Sequence, residues 1–179
     1  DMRHRLKEFN AKRVKNLKPK DQKEFDLANI KIGIGVNSDS VISGNIGCTK
    51  RMEFTSIGDG VNLGSRLEGT SKVYGTDIII SETTYKSCSD RIWTRELDRI
   101  QVKGKNQPIS IYEVYGLRSD PLSATHAQII ELYHKARDFY HQMKFGKAIG
   151  LFGEVLELDK LNKAASIHLV RCQHFLSNP

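Results

Sequence analysis

Asn62 and Arg66 stand four residues apart in the run Asp59-Gly60-Val61-Asn62-Leu63-Gly64-Ser65-Arg66-Leu67-Glu68, a spacing that puts both on one face of a helix. An amide beside a guanidinium suits a ribose-phosphate ligand. The amide can orient a sugar oxygen, and the guanidinium offers a rigid fork of donors to phosphate oxygens. The same spacing also fits an arginine that caps the helix end or pairs with Glu68 or Glu96, with Asn62 merely near a helix start. Val102-Lys103-Gly104-Lys105 sets two lysines in a turn, which is either a second phosphate contact or a solvated basic turn. Gly33 and Gly35 form a Gly-x-Gly pattern with no helix directly after it, so the dinucleotide fingerprint is not met. His134 and His141 are seven apart with no carboxylate or cysteine to complete a metal site, and are read as surface or packing residues.

The elements that must position these groups follow from periodicity. Met2, Leu6, Phe9 and Val14 predict an amphipathic helix over 1–14, and the lysine-rich stretch 15–28, broken by Pro19, reads as a mobile polar connection. Ile30, Ile32, Ile34 and Val36 alternate as in a strand. Strands are expected over 41–47 and 52–57, then a helix from Gly60 to Val73, capped by Asp59 and stopped at Tyr74-Gly75. Asp77–Ile80 reads as a buried strand, Ser81 and Glu82 open a short helix, and 93–103 with 109–115 form a hairpin. Trp93 is read as a packing residue on that hairpin. Residues 117–124 read as a linker. Beyond it Leu132, Ala136, Phe139, Ala148, Phe152 and Val155 recur as in a helix–turn–helix repeat, with a third helix from Lys163 to Leu176. Tyr133, Phe139, Tyr140, Phe145 and Phe152 form the expected core of that tail. One and a half repeats are too few to stand alone, so the tail is expected to lean on the preceding domain or on sequence outside this chain.

Composition sets bounds on function. Of 179 residues, 39% are hydrophobic and 27% charged, a globular balance, and no apolar run is long enough to span a bilayer. Cys48, Cys88 and Cys172 are odd in number and widely spaced, which supports neither a disulfide framework nor a zinc knuckle and fits a reducing compartment. The net charge of +7 raises nucleic acid as a partner. The excess, however, sits in residues 1–29, where nine Lys/Arg face five Asp/Glu and only Phe9 and Phe25 are aromatic. A solvated helix face accounts for it, and no nucleic-acid partner is expected. The chain opens on Asp1, and Met2-Arg3-His4-Arg5-Leu6 reads as mid-helix, so a fragment of a longer protein is expected.

Ile32-Gly33-Ile34-Gly35-Val36, Ser43-Gly44-Asn45-Ile46-Gly47, Ile57–Leu67 and Val102-Lys103-Gly104-Lys105 together resemble, in order and spacing, the class III adenylate/guanylate cyclases, with bacterial adenylyl cyclases the nearest in look. The resemblance covers residues 1–116, the C-terminal half of that catalytic domain. Residues 125–179 are similar to the tetratricopeptide-type segment that follows some bacterial cyclase domains. The resemblance implies an α+β, ferredoxin-like cyclase sandwich, partial here, with a C-terminal helical hairpin. It implies that Asn62 orients the substrate ribose, that Arg66 stabilises the transition state at the α-phosphate, and that Lys103 holds the terminal phosphates with Lys105 beside it. Thr55 matches the purine-selecting position, where adenylyl cyclases carry Asp, Thr or Ser, so ATP is the expected substrate, with guanylyl cyclase activity as the alternative.

The family's two metal-binding aspartates and its purine-contacting lysine lie upstream of Asp1. Two Mg²⁺ or Mn²⁺ ions are therefore implied, with no metal ligand expected in this chain. A head-to-tail homodimer is implied as well, one subunit supplying the aspartates and its partner the Asn and Arg. The tail is a possible protein-binding surface. The catalytic region is expected in the cytoplasm, in a parent protein that could be anchored to a membrane. A non-catalytic pseudo-cyclase or interaction scaffold is the competing reading.

Overall fold

The computed structural model describes residues 2–48, 51–101 and 107–178. The chain divides into two compact units, residues 1–32 and 33–179.

The first unit holds α1 (Met2–Leu17) and α2 (Gln22–Ala28). The expected connection over 15–28 is thus mostly helical. Its local chemistry explains the difference. Asp21 accepts a hydrogen bond from the Glu24 amide at 2.8 Å, while the Glu24 carboxylate accepts one from the Lys20 amide at 2.8 Å. This reciprocal arrangement satisfies amides that a helix start leaves without partners. Ile30 is not part of the expected strand, because the Asn10 side chain takes both its amide, at 3.0 Å, and its carbonyl, at 2.7 Å.

The second unit is mixed α+β. It runs β1 (Ile34–Val36), β2 (Ile42–Cys48), β3 (Arg51–Ile57), α3 (Asp59–Tyr74), β4 (Ile78–Ser81), α4 (Glu82–Cys88), β5 (Ile92–Ile100) and β6 (Ile109–Leu117), and then α5 (Ala124–His141), α6 (Phe145–Leu158) and α7 (Lys163–Ser177). One sheet has the order β1-β4-β6-β5, with β1 parallel to β4 and the other pairs antiparallel. β2 and β3 form a separate antiparallel pair in which Thr55 faces Gly44 across the ladder.

A single core joins the sheet to the helices that follow it. Leu63, Leu67 and Tyr74 of α3, Ile79, Leu97 and Ile111 of the sheet, and Tyr133, Phe152, Val155 and Cys172 of the later helices belong to one buried cluster. β5 is an edge strand, and an edge normally leaves backbone groups unpaired. Here side chains of α5 and α7 take them. His134 Nε2 accepts from the Glu96 amide at 3.1 Å, and Arg137 donates to the Glu96 carbonyl at 3.3 Å. Tyr133 and His168 both reach the Leu97 carbonyl, at 3.0 and 2.9 Å. His134 therefore serves as packing and edge cover, as expected. Trp93 likewise anchors the hairpin, its indole donating to the Asp120 carbonyl at 3.1 Å with the Arg118 guanidinium over the ring.

Candidate nucleotide site

The helix α3 starts where β3 ends. Gly58 makes the turn with φ 144°, a value that L side chains rarely adopt. Gly58, not Asp59, occupies the N-cap, and no side chain caps the helix. Asp59 falls instead in the first turn, where its charge complements the helix dipole. Gly75 closes the helix in the left-handed conformation, its amide bonded to the Ser71 carbonyl, as the sequence indicated.

Gly33 and Gly35 have a packing role that the sequence did not reveal. A Cβ on Gly35 would stand 2.2 Å from the Gly64 carbonyl and 2.4 Å from the Glu68 amide; one on Gly33 would meet the Ser71 hydroxyl at 2.3 Å. Bare backbone on β1 lets α3 lie directly against it. Asn37, just beyond β1, donates to the Gly60 carbonyl at 3.0 Å and ties down the start of α3.

On this support Asn62 and Arg66 both project from the exposed face of α3, while Leu63 and Leu67 on the opposite face enter the core. Thr55 is exposed on β3, the strand that leads into α3. The three candidates thus sit on consecutive elements joined at Gly58. Glu68 pairs with Lys72 at 3.1 Å and Glu96 with Arg137 at 2.9 Å. Lys103 and Lys105 lie outside the described residues. A groove of about 700 Å³ between the sheet and α5, lined by Tyr112, Glu96, His134 and Arg137 among others, includes none of Thr55, Asn62 or Arg66. These three lie on an open face.

That face adjoins an apolar surface. On β2 and β3, Ile42 is 72% and Phe54 76% exposed, and Met52 and Ile57 are also largely in solvent, with Ile42 and Ile57 on the same ribbon face as Thr55 and with Met52 and Phe54 on the other. Such a concentration on a two-stranded sheet is the kind of surface that a further protein surface covers.

Residues 1–116 match the family described as the adenylate and guanylate cyclase catalytic domain. The chain belongs to that family. Among curated relatives, the cyclase chain is 30% identical over 83% of its length to the terminal-differentiation-specific adenylate cyclase of Dictyostelium discoideum. It is 44% identical over 49% of its length to an adenylate cyclase of Anabaena cylindrica, and 33% identical over 54% to adenylate cyclase 1 of Rhizobium meliloti. The chain spans 7%, 18% and 14% of the lengths of these three relatives. Among solved structures, the adenylyl cyclase CyaB from P. aeruginosa aligns with a TM-score of 0.45 at 34% identity, covering 56% of this chain and 53% of that one. The family assignment rests on the sequence match.

Among the described residues of the cyclase chain, no three His, Cys, Asp or Glu side chains are grouped so as to hold a metal ion. Among the described residues no helix is long and apolar enough to cross a membrane.

Reading the sequence alone missed a buried polar cluster behind α3. Tyr74 donates to Asp98 Oδ2 at 2.5 Å, and Arg171 of α7 donates to the same oxygen at 2.5 Å. Burial by itself would raise the Asp98 carboxyl. The Tyr74 hydrogen bond, the nearby His168 and the Arg171 bond and charge outweigh that and hold it below the usual carboxylate value. Burial, then the bond to Asp98, pushes the Tyr74 phenol up to about 12. The available signal was the run Arg95-Glu96-Leu97-Asp98-Arg99, too charged for a strand covered on both sides unless its ions are paired.

Proposed function

We propose that this chain contributes to an adenylyl cyclase, which converts ATP to 3′,5′-cyclic AMP and pyrophosphate. The observation that carries the reading is the joint presentation of Asn62 and Arg66 on the exposed face of α3 in a chain of the cyclase family. The ribose 3′ oxygen attacks the α-phosphorus, the bond to the β-phosphate bridging oxygen breaks, pyrophosphate leaves and the ring closes. Negative charge grows on the α-phosphoryl oxygens along this path. A guanidinium already in place at that point lowers the barrier without reorganising solvent. Arg66 is assigned that task, and Asn62 the orientation of the ribose. Lys103 and Lys105 are assigned to the terminal phosphates.

Thr55 on β3 is assigned to purine selection. ATP as substrate is supported by this threonine and by the adenylate cyclase names of the three relatives. The open setting of Asn62 and Arg66, beside the exposed apolar side chains of β2 and β3, supports completion of the site by a second subunit in a head-to-tail pair. That subunit would supply the metal-binding carboxylates. The packing of α5 on α6 and of α6 on α7 supports a tetratricopeptide-type reading of the tail.

The decisive experiment places Arg66→Ala and Asn62→Ala in the full-length protein and follows cyclic AMP formation. Each is expected to lower turnover by ~10²–10³, while sedimentation shows the oligomeric state of the wild type. Unchanged turnover in Arg66→Ala would remove the assignment of that residue. A wild-type protein that forms no cyclic nucleotide would overturn the function itself.

A further inference from the structure

The helix that presents Asn62 and Arg66 is held at its other end by residues outside the matched family region. Tyr74, the last residue of α3, is buried, and its phenol bonds Asp98 Oδ2 at 2.5 Å. Arg171, two turns into α7, bonds the same oxygen at 2.5 Å, and His168 approaches it at 3.9 Å. The other carboxylate oxygen accepts the Arg99 amide at 2.8 Å, which locks the Asp98 side chain against β5. A separate contact brings α7 to the same helix end. A Cβ on Gly75, the C-cap of α3, would meet the Lys163 side chain at 2.9 Å, so the first turn of α7 lies directly on that cap.

We infer that Arg171, acting through Asp98 and Tyr74, is a positioning residue for Asn62 and Arg66, so that the helical segment after residue 117 helps set the geometry of the nucleotide site. The physical basis is the stiffness of a single α-helix. The bare glycines beside it permit contact but supply no lock of their own; Leu63 and Leu67 seat it in the core and Asn37 gives its start a directional lock. The charged cluster at its C-terminus supplies a second. Two donors on one buried oxygen leave little room for that end to slide, and a displacement there is transmitted to the exposed face two to three turns away. Misplacing a reacting group by 1 Å can cost about 10²-fold in rate.

This inference rests on the roles proposed above for Asn62 and Arg66, and its test is built to be read without them. In the full-length protein, Arg171→Met removes the charge while keeping most of the side-chain volume, Arg171→Lys retains the charge, and Tyr74→Phe removes the second donor. Val155→Ala, in the core of α6, serves as a control that loosens the tail without touching the cluster. Two quantities are measured: kcat and KM for ATP, and amide hydrogen exchange across residues 62–70. Arg171→Met and Tyr74→Phe are expected to lower kcat about tenfold or more with KM within about twofold, and to speed exchange over 62–70. Arg171→Lys is expected to recover most of both losses. Val155→Ala is expected to lower the melting temperature and leave kcat and exchange at 62–70 as in the wild type. Wild-type kcat and exchange in both Arg171→Met and Tyr74→Phe would overturn the inference, as would equal changes in Val155→Ala. Should Arg171→Met fail to fold, Tyr74→Phe and Arg171→Lys still decide it. Should the wild type form no cyclic nucleotide, the cyclase reading falls while the exchange data still decide the coupling.

Discussion

Gly35 and Gly64 meet backbone to backbone: a Cβ built on Gly35 would lie 2.2 Å from the Gly64 carbonyl, whereas one built on Gly64 would find only the Gly35 carbonyl, 4.0 Å away. The contact is one-sided, because the strand's glycine points at the helix while the helix's glycine points past the strand.

Opposite signs are therefore expected for two alanine substitutions. Gly35→Ala forces β1 and α3 apart and should destabilise by about 1–3 kcal/mol, the range for overpacking a filled interface. Gly64→Ala has room and removes a helix-interior glycine, and should stabilise by roughly 0.5–1 kcal/mol. Urea denaturation of the two variants measures both. A destabilising Gly64→Ala would mean that something other than backbone freedom holds that position.

Arg95 is the largest of the fully buried side chains, at 2% exposure. Its guanidinium bonds Glu113 at 2.6 Å, reaches Asn162 at 3.3 Å and lies 4.3 Å from the centre of the Tyr133 ring. It thereby links β5, β6 and the start of α7. Arg95→Met leaves the Glu113 carboxylate without its cation in a half-buried place and should cost about 3–5 kcal/mol. Adding Glu113→Gln should recover part of the loss. A double variant no more stable than Arg95→Met would show that the cost lies in packing rather than in the stranded charge.

His168 gives the stability a pH dependence of defined sign. Its ring is fully buried against Tyr133, Tyr140 and Phe152, with Asp98 of β5, Arg137 of α5 and Arg171 of its own helix as the charged groups nearby. Burial pushes its pKa down to about 4 against the pull of Asp98. Between its unfolded value near 6.5 and about 4 the unfolded chain binds a proton that the folded chain does not, so stability falls as pH falls through that window. The depressed Asp98 carboxyl acts with the same sign as pH falls further. The His168 contribution is on the order of 3 kcal/mol. His168→Gln keeps a donor for the Leu97 carbonyl, and denaturation between pH 6.5 and 4 should show a much flatter slope in that variant. An unchanged slope would assign the effect to other groups.

Thr55 is exposed on β3 and shares its ladder position with Gly44, so its side chain can be exchanged with little effect on packing. If it selects the purine, Thr55→Cys should shift the ratio of kcat/KM for GTP over ATP upward, with thermal stability near the wild type. Ratios identical in the two proteins would place purine selection elsewhere.

The helix carrying Asn62 and Arg66 was legible in its extent and its stop at Gly75, but not in its start: Asp59 was expected as the cap, and Gly58 holds that place because its positive φ makes the turn. Its polar face needed no tertiary knowledge, because period alone places residues four apart on one side. The stretch 15–28 misled because lysine content and a proline mask a helix start whose signal is the pair Asp21 and Glu24. The strand expected from Ile30 shortened to Ile34–Val36 because an asparagine twenty residues away captured the backbone of Ile30, and periodicity carries no information about such a partner. Gly33 and Gly35 were visible as a pattern, but their purpose was not, since close approach is a relation between two elements.

What the sequence determined by itself were the properties that each segment carries internally: period, turn chemistry, helix stops, and the family motifs across residues 1–116. Tertiary structure alone decided where the charged residues of β5 find their partners. Arg95 pairs with Glu113 and Asp98 with Arg171, partners 18 and 73 residues away along the chain, and a buried ion is tolerable only where another element brings its counter-charge. Whether a strand edge is left open or covered is settled in the same way. The covering groups here, Tyr133, His134, Arg137 and His168, come from helices whose docking depends on the shape of the whole core rather than on any local pattern.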